Sequence, residues 1–276
     1  MALNWKDPQR EPESRRAEHW DSLSASFDGY ESQNAGNNII IKFLEDRGMV
    51  GPDMRVLDIG CAAGKYSIYF AGRCREVVGT DISPEMIRRA EANAEQSGCS
   101  NIRFIRSDWE NLNLDDIGGE GSFDLVFASI TPAISSEKDL DKMLKAAGGW
   151  CYYGGTARAK RKIADRIHAM FSLPLTVRGN ERSIPYVFSQ LWEAGIRPEI
   201  DYLPDIYRHD MTFEEACVHY RDTIGSMLSM YQGSPFSPEQ DKMLRSFLER
   251  ENMDGIIHEE FKSVTAALTW NMKDIR

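Results

Sequence analysis

The sequence predicts an α/β fold: a three-layer, mostly parallel, doubly wound sheet of seven strands, with a helical N-terminal arm and a helical lid inserted late in the chain. Three observations predict it. Short apolar runs alternate with helical stretches over residues 55–154, the pattern of parallel strands joined by crossover helices. A turn of small residues between Gly60 and Gly64 closes the first run and opens a helix. A wholly helical stretch, residues 205–254, separates the sixth apolar run from the last. The expected division is an arm at 1–52, a sheet domain at 53–204 and 255–276, and the lid at 205–254.

In chain order, residues up to Ser14 are polar and proline-containing, and read as a fraying arm. Trp20, Leu23 and Phe27 recur at helical spacing, and Ile39, Ile40, Phe43 and Leu44 continue an apolar face up to the Gly48 and Gly51-Pro52 breakers. Strands are expected at Arg55–Ile59, Glu76–Thr80, Ile102–Arg106, Phe123–Ser129 and Trp150–Gly154. Helices are expected at Lys65–Cys74, Pro84–Ser97 and Asp139–Ala147. The second of these carries a capping Ser83 and a proline at its first position. A helix from about Arg158, another at Pro185–Ala194 and a sixth strand at Pro198–Leu203 follow. The lid contributes helices at Phe213–Met230 and Pro238–Arg250, and alternation over Glu260–Met272 marks a last, antiparallel strand.

Composition sets limits on function. Of 276 residues 42% are hydrophobic and 28% charged, which excludes wholesale disorder. A net charge of −10 argues against a sequence-blind electrostatic grip on nucleic acid. Five cysteines without a C-x-x-C pair give neither a disulfide framework nor a zinc site. No apolar leader or span of 18 residues stands out, so a cytoplasmic protein without membrane attachment is expected.

The most informative stretch is Val56–Gly64, VLDIGCAAG. Backbone at Gly60 and Gly64 can approach a ligand closely at the carboxyl end of the first strand. A dinucleotide site would carry G-x-G-x-x-G, whereas this turn keeps Asp58. A carboxylate there repels a pyrophosphate and orients a cationic amino group, which favours an amino acid or sulfonium ligand. Asp81 closes the second strand about 20 residues past the turn, the spacing of a ribose-binding acid in a βαβ unit. Each aspartate taken alone also reads as a cap or turn former. Three of them, Asp58, Asp81 and Asp108, at the ends of consecutive strands are harder to read that way.

On these residues the chain resembles the class I S-adenosylmethionine-dependent methyltransferases, a Rossmann-like superfamily, in its small-molecule type. VLDIGCAAGKYS is similar to the family's first motif, VGTDISPEM to its second strand tip, Ser107-Asp108-Trp109 to its adenine station and FDLVFAS to its fourth strand. Ala62-Ala63 replaces the family's usual glycine at the third turn position. The resemblance covers residues 54–160 and implies S-adenosylmethionine as cofactor, with S-adenosylhomocysteine as product. It implies that Asp58, Gly60, Cys61, Ala62 and Gly64 face the methionine portion, Asp81 the ribose, and Ile82, Met86, Asp108 and Trp109 the adenine, with Ala128 and Ser129 beneath the methyl donor. Cys61 reads otherwise as a small core residue.

An Asn/Asp-Pro-Pro-aromatic motif is missing after strand four, where the chain has Ser129-Ile-Thr-Pro132. That counts against methylation of a base or a side-chain amide. Trp20, Tyr30, Thr131 and Tyr207 are the candidate acceptor contacts, and His209, in the tract LPDIYRHDM read as a loop, is the candidate base. The plainer reading of His209 is a surface-loop histidine with no chemical role. Arg158, Lys160, Arg161, Lys162 and Arg166 form a local basic run, either a solvated face or an anion site. The expected acceptor is a small molecule; an RNA or protein methyltransferase and a non-catalytic cofactor-binding protein remain open.

Overall fold

The computed structural model describes residues 17, 18, 20, 21, 24, 38–173 and 183–275. Helix α1 (Ile39–Asp46) starts at Asn38, whose side chain accepts from the amides of Ile40 and Ile41, at 3.0 and 3.3 Å. Then follow β1 (Arg55–Ile59), α2 (Lys65–Ala71), β2 (Glu76–Asp81), α3 (Pro84–Gln96), β3 (Ile102–Arg106) and β4 (Phe123–Ser129). The chain continues through α4 (Glu137–Ala146), β5 (Ala147–Arg161), α5 (Ala164–Met170), α6 (Ser183–Glu193) and β6 (Glu199–Thr212). It closes with α7 (Phe213–Gln232), α8 (Pro238–Glu251) and β7 (Ile256–Asn271).

The strands form one seven-stranded sheet in the order β3-β2-β1-β4-β5-β7-β6. The pairs β1/β2, β1/β4, β2/β3 and β4/β5 are parallel. Parallel strands are buried on both faces, so Val56 to Ile59 and Val77 to Thr80 are buried without a break. α3 starts where its sequence says it should: Ser83 Oγ accepts from the Met86 amide at 3.0 Å, and Pro84, which has no amide to satisfy, takes the first position. Because β2 lies on one side of β1 and β4 on the other, the sheet reverses its winding at β1. Ligands of such sheets bind at the carboxyl ends beside that reversal.

The outer strands are longer than expected. The helix expected from Arg158 is corrected: residues 158–161 continue β5, and α5 begins only at Ala164. Arg158 and Lys160 are exposed while Ala159 and Arg161 are half-buried, the two-residue period of a strand. The Arg161 guanidinium lies over the Phe261 ring, 5.3 Å from its centroid. The tract read as a loop, LPDIYRHDM, is likewise part of β6. Pro204 reads as a strand end, but β6 is an edge strand, where proline is tolerated.

Two compact units divide the chain. One comprises Met1–Gly155, Arg182–Leu203 and Ala266–Arg276. Its core includes Ile41, Leu44, Val56, Phe70, Phe127 and Tyr152. The other comprises Thr156–Glu181 and Pro204–Thr265. There α5, α7 and α8 bury Ile167, Tyr220, Leu228, Leu244 and Phe247. Reciprocal capping boxes, Thr212 with Glu215 and Ser237 with Gln240, open α7 and α8. Among the described residues no helix is long and apolar enough to cross a membrane.

Candidate functional site

The carboxyl ends of β1, β2 and β4 meet in the first unit. Gly60 and Cys61 both donate their amides to the Thr80 carbonyl, at 2.8 and 3.0 Å, which folds the turn back onto the tip of β2. Gly60 sits at φ +71° with Thr131 directly over it; a Cβ there would lie 2.0 Å from Thr131 Oγ1. Gly64, at φ +90°, opens α2 against Ala90 and Phe104. Ala62 takes φ +48°, a left-handed conformation that costs an L-residue about 1–2 kcal/mol. In that conformation its amide points at Asp81 Oδ2, 3.0 Å away.

Two carboxylates flank this turn. Asp58 is 2% exposed and accepts from Ser67 Oγ at 2.6 Å. Burial, helped by the nearby Asp81 charge and opposed by the Ser67 hydrogen bond, pushes its carboxyl up to about 7. Asp81 accepts from the Ser83 amide at 2.9 Å on its other oxygen. Burial holds it above the usual carboxylate range as well, against its backbone hydrogen bonds and with Asp21 adding to the rise. Asp21 comes from the N-terminal segment, where residues 17, 18, 20 and 21 are helical. Its Oδ1 accepts from Ser83 Oγ and from the Glu85 amide. Among the described residues no Lys or Arg forms an ion pair with Asp58 or Asp81. The turn is therefore flanked by two carboxyls that no cationic side chain among the described residues pairs with.

Residues 56–155 match a family model described as a methyltransferase domain. A methyltransferase domain occupies residues 56–155 of the chain. Over 72 residues it is 38% identical to the 23S rRNA (uracil(1939)-C(5))-methyltransferase RlmD of Shewanella sediminis, covering 26% of this chain and 16% of that one. Over 88 residues it is 34% identical to an uncharacterized methyltransferase, YcgJ, of Bacillus subtilis, covering 32% of each. The chain thus spans less than a third of the length of either relative. Among solved structures the [4+2]-cyclase SpnF shares the fold, at a TM-score of 0.51 and 13% identity over 93% of this chain and 96% of that one.

Within and beside the methyltransferase domain, the structure brings Asp58, Gly60, Cys61, Ala62, Gly64, Asp81 and Thr131 together around one turn. Ile82 is half-buried next to Asp81, and Met86 is buried on the first turn of α3. Asp108 caps the 3-10 turn Trp109–Asn111, accepting from the Glu110 amide at 3.3 Å. Trp109 is turned inward, 2% exposed, with Nε1 donating to the Asp139 carbonyl at 3.0 Å. Ala128 is buried and Ser129 half-buried at the end of β4. Trp20 is helical and half-buried, and Tyr30 lies outside the described residues. Tyr207 and His209 lie on β6 in the second unit, their rings 6.3 Å apart, with His209 exposed. The depressions of about 240 Å³ beside Leu140 and Gln190 and about 300 Å³ beside Met243 and Arg250 border none of these residues.

Sequence reasoning passed over Asp21, Ser67 and Lys142. Lys142, on α4, donates to the carbonyls of Trp109, Glu110 and Leu112 at 2.8, 2.7 and 2.9 Å, so one ammonium fixes the whole loop that carries Asp108. Lys142→Met keeps the apolar stem and strands three carbonyls. We expect it to lower unfolding stability by about 1–3 kcal/mol, read from urea midpoints.

Proposed function

We propose that this protein transfers the methyl group of S-adenosylmethionine to a small-molecule acceptor. What carries the reading is the pair of carboxyls, buried Asp58 and half-buried Asp81, held beside a turn that carries no side chain at Gly60 and met by no cationic side chain among the described residues. A ligand carrying an ammonium and a sulfonium supplies the missing positive charge. Asp58 would face the amino group, and Asp81, aligned by the Ala62 and Ser83 amides with lone pairs to spare, would accept from the ribose hydroxyls. Ile82, Met86 and Asp108 would meet the adenine, with Trp109 and Lys142 holding the Asp108 loop in place.

The sulfonium supplies an electrophilic methyl group for in-line displacement. The chain's part is then to orient the acceptor and keep water out, which can supply most of the rate.

Calorimetry tests the cofactor. Asp81→Ala is expected to weaken S-adenosylmethionine binding by at least about tenfold, since two charge-assisted hydrogen bonds go with the carboxylate. Undiminished binding would rule out the ribose role. Incubation with methyl-tritiated cofactor tests the acceptor: label should enter the small-molecule fraction of a cell extract.

A second reading, an RNA acceptor, draws on the RlmD match and on Arg158, Lys160 and Lys162, exposed at alternate positions. Against it, Arg166 is engaged with Glu251 at 2.8 Å and Arg161 with Phe261. The RlmD match also covers only about a quarter of this chain. Label in RNA, lost steeply as salt rises, would favour this second reading.

A further inference from the structure

Ile130, the first residue past β4, is the wrong residue twice over. It stands at φ +50°, where a β-branched side chain is strained, and its large apolar side chain is 48% exposed. Its amide is fixed on the Gly154 carbonyl at 2.8 Å, so the turn is held in that conformation by the sheet. Glycine would make this turn without strain, and a polar residue would suit water. The isoleucine instead presents an apolar side chain at the carboxyl end of β4.

What lies beside it is polar and buried. Ser129 pairs in register with Gly154, and the Tyr152 ring runs up its strand beneath Gly154, where a Cβ would come within 2.7 Å of Tyr152 Oη. Ser129 Oγ and Tyr152 Oη are both buried and find no hydrogen-bond partner among the described residues. Two hydroxyls carry two protons and four lone pairs, so donors and acceptor positions are both left over. The walls are apolar: Tyr66 and Tyr152 flank Phe127, with ring centroids 4.9 and 4.8 Å away. Burial holds the Tyr152 phenol far above its ordinary range, so it stays a neutral donor.

We propose that Ile130, Ser129 and Tyr152 form the acceptor subsite, and that it selects a neutral molecule with a hydroxyl or carbonyl oxygen on an apolar ring. Ile130 would pack on the ring, and the hydroxyl pair would bond the oxygen. Among the described residues no charged side chain bonds to either hydroxyl, which leaves none of them there to neutralise a charged acceptor. The inference rests on the methyltransferase reading above and names the acceptor chemistry of that same site.

The test uses the full chain loaded with S-adenosylhomocysteine, titrated with cyclohexanone and phenol as probes and with benzoate and benzylamine as charged controls. Binding is followed by ligand-observed NMR. The neutral probes should bind more tightly than the controls, and Tyr152→Phe should weaken cyclohexanone by roughly tenfold. Ile130→Gly should raise the melting temperature by relieving the turn and still weaken both neutral probes, a combination that a purely structural isoleucine would not give. Equal binding of charged and neutral probes, or probe binding unchanged in both variants, would overturn the proposal. Failure of S-adenosylhomocysteine to bind at the loading step would instead remove the methyltransferase reading, and the subsite with it.

Discussion

Gly60→Ala is expected to abolish measurable S-adenosylmethionine binding and to destabilise the protein more than any other single methyl addition in the turn. Two costs combine at this position. The left-handed backbone at φ +71° costs an alanine about 1–2 kcal/mol. The new Cβ would also overlap the Thr131 hydroxyl and its Cβ, at 2.0 and 2.8 Å, and Thr131 is only 6% exposed, so it has nowhere to go. Overpacking of this kind costs about 1–3 kcal/mol more. Relief requires the turn to lift away from Thr131, and that motion breaks the amide bonds of Gly60 and Cys61 to Thr80, which shape the ligand-facing backbone. Gly98 supplies the control. It has nearly the same φ, +69°, but nothing within 4 Å of its would-be Cβ, so Gly98→Ala should show the backbone cost alone and bind cofactor normally. Thermal unfolding and calorimetry on the two variants separate strain from overlap; equal losses in both would show that the Thr131 contact is unimportant.

The second large effect is a pH dependence centred on Asp58. In the free protein burial raises its carboxyl to about 7 from an ordinary value of 3.8. Between those values the folded state holds a proton that the unfolded state has released. This contribution to stability is therefore greatest below about pH 4 and declines as pH rises towards and through 7. Cofactor binding has the opposite slope. A cation beside Asp58 favours its charged form, so binding below pH 7 expels a proton. Affinity should then climb by up to about tenfold per pH unit through the acidic range and flatten above neutrality. Calorimetry in buffers of different ionisation heat counts the protons directly. Asp58→Asn should flatten both profiles, and a slope that persists in the variant would assign the titration to another group.

Much of the fold is legible because its centre is parallel sheet. β1, β3 and β4 have the bounds that their apolar runs mark, and the start of α3 is given by Ser83 and Pro84. The glycine turn and Asp81 are legible because their relation is local, a strand and a helix apart. What is hidden depends on partners far away in sequence. Asp21 reaches Ser83 across 62 positions and Lys142 reaches Trp109 across 33, and neither residue is distinguishable from a solvated helix face in its own neighbourhood. Strand β5 was cut short because its outer half is cationic, and a charged run with an occasional apolar residue fits a helix as well as a strand. The backbone of Ile130 was beyond reach, since nothing in the residues Ser129-Ile-Thr marks a left-handed turn; the bond from its amide to Gly154 imposes it.

The order of strands in the sheet also sets an order in time. β6 borders only β7, and β7 occupies the place between β5 and β6, although β6 is synthesised first. During translation β1 to β5 can pair as they emerge, while β6 has no neighbour until residue 271 has been added. At ordinary elongation rates, about 5–20 residues per second, that leaves β6 waiting for roughly 3–12 s with its backbone ladder unpaired. Nascent chains stalled between residues 212 and 256 should therefore hold a protease-resistant β1–β5 core and a cleavable β6, which makes this interval the one in which misassembly is most exposed to chaperones and proteases.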